Sequence, residues 1–182
     1  MKIIYIFILL FISSCTSKDL NLAFFNKPQK EILKKILKKN DSIFLLNNNN
    51  LSISNAYFEH LKKLDNSESP NELLNNLFIR NNSYCKSLYK SNVFILSKDK
   101  AFNSANEFIS YDLNIKSNYF SFLKYFSKKN KTILKYYNSL LSSGGISPSS
   151  TKLILHYLTK EDLVDDNIRL IVCIHFLLIN NS

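Results

Sequence analysis

Apolar residues follow two different patterns along this chain. The first is an unbroken run of ten, IIYIFILLFI at Ile3–Ile12, directly behind Lys2. Beyond it, apolar positions recur mostly at helical spacing. Between Pro28 and Lys39, Ile32, Leu33, Ile36 and Leu37 share one face, and Lys30, Lys34, Lys35, Lys38 and Lys39 cover the other. Pro28 suits a first helical turn, and Asn40 is the predicted C-cap. Asp41–Leu46 holds a short apolar run compatible with strand or helix, and Asn47–Asn50 reads as a loop. Ser54 is expected to cap a helix reaching Leu64, with Tyr57, Phe58, Leu61 and Leu64 inward. Ser69-Pro70-Asn71-Glu72 combines a capping box with a first-turn proline, and predicts a helix carrying Leu73, Leu74, Leu77 and Phe78.

Tyr84–Leu96 is ambiguous. Val93-Phe94-Ile95-Leu96 has strand composition, but a single strand has no sheet to join, so the segment reads as helix or buried connector. Ala101, Phe102, Ala105, Phe108 and Ile109 predict a helix over Lys98–Ser110. Ser117 caps the next, with Tyr119, Phe120, Leu123 and Phe126 inward. Lys129–Ser142 follows, with Ile133, Tyr137, Leu140 and Leu141 as its face, and Gly144-Gly145 end it. Ser147-Pro148 starts a helix through Leu158, and Thr159 with Asp162 marks another cap. Asn167–Ile179, NIRLIVCIHFLLI, is apolar nearly all round, as suits a helix inside a bundle. No fixed-period repeat is present. The expectation is an all-α fold: a single globular bundle of about seven to nine short helices around a nearly all-apolar central C-terminal helix.

Lys2, the apolar run, Ser13, Ser14 and Cys15 have the order of a secretory signal, and the run is short of the roughly 20 residues a membrane span needs. Ile12-Ser13-Ser14-Cys15 resembles the lipobox of bacterial lipoproteins, with Ile in place of the usual Leu. The resemblance covers residues 1–15 alone. It implies cleavage before Cys15 and lipid on its sulfur and new amine, which anchors the chain in a membrane. A plain cleaved signal or an uncleaved anchor are the alternatives. The expected organisation is a signal peptide (1–14), a lipidated Cys15 with tether (15–26) and a helical domain (27–182). Leu20, Leu22, Phe24 and Phe25 give the tether the means to dock. The family's inner-membrane retention signal is an Asp after the lipidated Cys. Thr16 stands there, which leans towards the outer membrane or cell surface of the bacterial envelope.

Removing residues 1–14 leaves 168 of the 182 residues, enough for one domain with a core, and lowers the formal charge from +10 to +9. The abundance of Lys, Asn, Ile, Phe and Ser is also what an AT-rich genome writes, so part of the basic balance has a codon-level explanation. Cys85 and Cys173 are the remaining cysteines. An exported compartment permits a bridge between them, and two buried thiols fit their apolar contexts equally.

Catalytic signatures are missing. His60, His156 and His175 have no HExxH-type spacing, although the last two could meet if their helices pack together. Glu161, Asp162, Asp165 and Asp166 lack the alternation and glycine of an EF-hand loop and read as acids in helix first turns. Ser87-Leu88-Tyr89-Lys90 has the S-x-x-K letters without their companion motifs. No enzyme, metal site or cofactor is therefore expected.

One feature exceeds background. No acidic residue occurs from Leu113 to Lys160, while Lys116, Lys124, Lys128, Lys129, Lys131, Lys135, Lys152 and Lys160 give the stretch a charge of +8, interleaved with tyrosines. Lys124 with Lys128, and Lys131 with Lys135, should pair on helix faces. The candidate site for an anionic partner is Lys116, Lys124, Lys128, Lys129, Lys131 and Lys135. For an exported chain, anionic lipid, polysaccharide or an acidic protein fits better than nucleic acid. The bland alternative is a solvated lysine face. The reading is a non-enzymatic, lipid-anchored binding or interaction protein. The alternatives are an exported enzyme with dispersed site residues and an immunity-type lipoprotein that neutralises a toxin.

Overall fold

The computed structural model describes residues 20–48, 50–67, 82–100 and 107–180. Cys15 and the helix expected after Ser69 lie outside them. The tether's described part, Leu20–Asn26, lies on the domain: Leu22 and Phe25 are buried, and Phe24 meets Phe122 edge-on with centroids 6.1 Å apart.

α1 (Lys27–Leu46) starts in a reciprocal cap in which Asn26 Oδ1 accepts from the Gln29 amide and Gln29 Oε1 from the Asn26 amide, each at 3.0 Å. It does not end at Asn40, as expected, but runs on through the short apolar segment. Leu33, Ile36, Leu37, Asn40 and Phe44 form one continuous buried stripe. Burying Phe44 outweighs the stop preference of Asn40, whose Nδ2 donates to the Ile36 carbonyl at 3.0 Å while its buried Oδ1 has no partner among the described residues. α2 (Ile53–Asp65) is capped by Ser52, two residues before the expected Ser54.

α3 (Asn82–Lys90) ends in a turn with Asn92 in the left-handed region at φ 58°. β1 (Phe94–Lys100) then pairs antiparallel with β2 (Glu107–Leu113), from Phe94 opposite Leu113 to Lys100 opposite Glu107. This corrects two expectations. The Tyr84–Leu96 segment, expected as helix or buried connector, is helix as far as Lys90 but strand from Phe94, and both described ends of the expected Lys98–Ser110 helix are strand. The strand does have a partner, namely the second half of the segment assigned to that helix. Phe94 and Leu113 bury the base of the pair against the helical body.

α4 (Asn118–Ser127) is capped by Ser117 and buries Tyr119, Phe120, Phe122, Leu123 and Phe126. α5 (Lys131–Ser143) is capped by Asn130, whose Oδ1 accepts from the Thr132 and Ile133 amides, and stops at Gly144 in the left-handed region at φ 76°. Its buried face is Ile133, Tyr136 and Leu140, so Tyr136 replaces the expected Tyr137 and Leu141 is exposed. α6 (Pro148–Tyr157) opens with a Ser147–Ser150 capping box. A 3-10 turn at Asp162–Val164 leads to α7 (Asp166–Ile179), in which every residue from Asn167 to Leu178 is buried. The fold is a mostly helical bundle with one two-stranded appendage. No described helix is long and apolar enough to cross a membrane.

Candidate binding site

α5 and α6 form an antiparallel pair because the Gly144–Ser147 turn reverses the chain between them. Thr132 Oγ1 donates to the Tyr157 carbonyl at 3.2 Å at one end, and the Ser139 and Ser149 hydroxyls meet at 3.1 Å nearer the other. Their inner faces bury Ile133, Tyr136, Leu140, Ser150 and Ile154. Their outer faces leave an open groove of about 680 Å³ lined by Lys135, Asn138, Ser139 and Ser142 from α5, and Ser149, Lys152, Leu153 and Tyr157 from α6. In each helix these residues follow an i, i+3, i+4, i+7 or i, i+3, i+4, i+8 pattern, so each set is one stripe of a helix. Lys135 Nζ sits 4.9 Å from the Tyr157 ring centroid. No carboxylate lines this groove.

The eight lysines of the acid-free stretch are all exposed, and none makes an ion pair among the described residues. They do not form one patch. Lys116 precedes α4, while Lys124 and Lys128 sit at its other end, about 15 Å away along a ten-residue helix. Lys129 folds back: its Nζ donates to Tyr125 Oη at 2.6 Å and lies 4.2 Å from that ring's centroid. Lys131 opens α5, and Lys135, one turn on, belongs to the α5–α6 groove. There it joins Lys152, which the sequence placed in the same stretch but not in the candidate site.

Lys129 also lines a second cavity, of about 380 Å³, with Asn21, Asn130, Glu161, Asp162, Asp165 and Asn167. The fold thus returns acids to a lysine that is remote from them in sequence. The oxygens of two of these acids are engaged in local structure. Asp162 Oδ1 accepts from Asn130 Nδ2 at 2.6 Å and its Oδ2 from the Thr159 amide at 3.0 Å, while Asp165 Oδ1 caps α7 through the Asn167 amide at 2.8 Å. Glu161 is held below the usual carboxylate range by hydrogen bonds from its own backbone and from Thr159. Among the described residues no three His, Cys, Asp or Glu side chains gather where they could hold a metal ion.

A buried polar cluster escaped the sequence reading. Arg169 reaches Asp166 at 2.7 Å, Asp41 at 3.4 Å and the carbonyls of Leu163 and Val164 at 2.9 and 3.1 Å. Tyr57 Oη donates to Asp41 at 2.8 Å and lies 3.2 Å from Cys173 Sγ. Burial lifts Asp41 above the usual range, although Arg169 and Tyr57 pull it down. Burial also works against the Arg169 charge, but Asp41 and Asp166 outweigh it and raise its pKa. The cluster ties α7 to α1, α2 and the 3-10 turn. Its one signal in the sequence is an arginine inside an apolar helix, three residues after an aspartate.

Cys85 and Cys173 are free, buried thiols; burial pushes Cys85 up to about 12 and Cys173 higher still. His156 and His175 do not share a site: His156 pairs with Asp65 at 3.0 Å, whereas His175 is bound by Tyr136 and Thr151. Comparison of the chain with protein-family models, with characterised proteins and with solved structures finds no match.

Proposed function

We propose that this is a lipid-anchored protein of the bacterial cell envelope that binds an anionic partner without catalysing a reaction. The observation that carries the reading is the state of its lysines. Eight cations from one acid-free stretch are exposed and none is in an ion pair among the described residues, although Lys129 shares a cavity with three acids and Lys160 acts on Glu161. An unpaired ammonium keeps its full attraction for an external anion, and several together make a field that steers one in. The anchor brings that field to a surface. Leu20 packs against the core and stands five residues after Cys15, so a lipid on Cys15 holds the domain within about 18 Å of the bilayer. Asn21 donates to Asn167 Oδ1 at 2.6 Å beside the cavity that Asn130 also lines. The junction of α4 and α5, with Lys128 and Lys131, therefore lies at the anchored end.

The test uses the chain from residue 15 onward with Cys15→Ser, which keeps every described element. Binding to anionic vesicles and to a sulfated polysaccharide is compared with that of the Lys124→Gln, Lys128→Gln, Lys131→Gln, Lys135→Gln variant. Gln keeps helix propensity and removes charge. Near an anionic surface each lysine contributes about 1 kcal/mol, so the variant should lose most of its binding at low salt. Equal binding by both proteins, or none by either, would sink the reading.

A further inference from the structure

We propose that the α5–α6 groove is a binding site for an acidic glycan, a chain of sugar units carrying carboxylate or sulfate groups. This rests on the anionic-partner reading and adds to it a place and a ligand class.

The argument begins with what lines the groove. Lys135 and Lys152 supply one ammonium from each helix, and no lining residue is acidic. An anionic group entering between the helices meets cations from both sides and no like charge. Asn138 contributes an amide that both donates and accepts, and the hydroxyls of Ser139, Ser142 and Ser149, already bonded to one another, to Ser147 and to the Ser139 carbonyl, add lone pairs that accept. Alternating hydroxyls on a sugar need that double capacity; a purely cationic surface offers donors alone. Along α5 these groups extend from Lys135 to Ser142, about 10 Å of helix, the length of a short oligosaccharide rather than of a lone ion.

Tyr157 supplies the third component. Its ring is 51% exposed at one end of the groove, with Leu153 one turn before it. The negative face of an aromatic ring attracts the weakly positive C–H bonds of a sugar face. Lys135 Nζ lies over one face of that ring, 4.9 Å from its centroid, so a pyranose on the opposite face or at the ring edge carries its charged substituent towards the ammonium. Aromatic platform, hydroxyl partners and flanking cations occur together here. The cavity around Lys129 lacks this combination, since its lysine faces carboxylates. An apolar helix of an acidic protein is less suited: Leu153 and Tyr157 are the two groove residues with large apolar surface, too few for an anchor at every turn.

The groove also has a direction. The Tyr157 end lies against Thr132, next to the α4–α5 junction at the anchored end, and the groove runs towards the α5–α6 turn. A chain lying in it would extend away from the bilayer.

Binding of a tetrameric oligogalacturonate to the Cys15→Ser chain is measured by calorimetry at physiological salt. A neutral oligosaccharide and a glutamate oligomer of matched charge serve as comparisons. The acidic oligosaccharide should bind, with the other two weaker by about tenfold or more. Tyr157→Ala should weaken it about tenfold while Tyr157→Phe retains it, because the ring and not the hydroxyl is the platform. Lys135→Gln with Lys152→Gln should abolish it, and Lys34→Gln with Lys38→Gln, exposed on α1 and outside the groove, should change it less than about twofold. Circular dichroism checks that each variant is folded. Equal binding of the glutamate oligomer, or an unaffected Tyr157→Ala, overturns the glycan site and leaves the anionic reading intact. Binding undiminished in the Lys135→Gln, Lys152→Gln variant overturns the location. A chain that binds no polyanion even at low salt overturns both.

Discussion

Mild acid should destabilise this protein through two buried histidines. His175 is fully buried on α7, with Nδ1 3.1 Å from Tyr136 Oη and Nε2 3.1 Å from Thr151 Oγ1. A neutral imidazole needs one donor and one acceptor, and hydroxyls fill either role. Burial pushes its pKa down to about 3. His60 is buried against Phe44, and its Nε2 accepts from Asn48 Nδ2 at 2.9 Å. Burial first, and then Lys63, lower it to about 4. Both folded pKa values lie below that of the unfolded chain, near 6.5. The unfolded state therefore binds more protons between these limits, and stability is lost as pH falls from about 6.5 towards 4 and 3. At pH 5 each histidine costs about 1.5 pH units times 1.36 kcal/mol, roughly 2 kcal/mol, and the pair about 4 kcal/mol. That is a large part of a typical stability of about 5–15 kcal/mol. Asp41, whose pKa is raised, acts in the opposite sense, so the decisive quantity is the difference between wild type and variants. Urea unfolding at pH 7.5 and 5.0 measures it. His175→Gln and His60→Gln should each remove about half of the pH-dependent loss. A wild-type stability unchanged between the two pH values, or a dependence that survives both substitutions, would refute the reasoning.

Other perturbations test the remaining parts of the account. Arg169→Ala leaves Asp41 and Asp166 partly buried without their cation, and urea unfolding should register a loss of about 3–5 kcal/mol. A chain ending at Asp166 loses twelve consecutive buried residues, Asn167–Leu178, including apolar side chains worth about 1.5–3 kcal/mol each; it should show no cooperative melt. In cells fed labelled fatty acid, Cys15→Ser should abolish incorporation of label and leave the precursor uncut; equal labelling would remove the lipid anchor.

The parts of this fold that were legible in sequence are those decided locally. Ser117, Ser147 with Pro148, and Gly144 each act within a few residues, and the structure uses all three as expected. Asn40 has the local chemistry of a stop, but Phe44 one turn later has a place in the core, and burial decided the outcome. The β1–β2 pair was hidden for a related reason. A strand is specified by its partner, and the partner segment carried helix-like apolar spacing. The candidate site divides in the same way. That the lysines are exposed followed from helix periodicity. Which of them act together did not, because Lys135 and Lys152 come to line one groove only through the packing of two helices, and Lys129 comes to share a cavity with Asp162 and Asp165 only through the return of the chain.

The central claim is that exposed lysines capture an anionic partner, and it is tested most directly by the salt dependence of that capture. Affinity for a linear sulfated polymer is measured from low to physiological salt, for wild type and for the variant with Lys124, Lys128, Lys131 and Lys135 changed to Gln. Each ammonium that displaces a counterion from a single-stranded polyanion steepens the decline of log K with log salt by about 0.7 of a unit. The account predicts a steep decline for wild type, shallower by about three units in the variant. Parallel lines for the two proteins, or an affinity indifferent to salt, would contradict it.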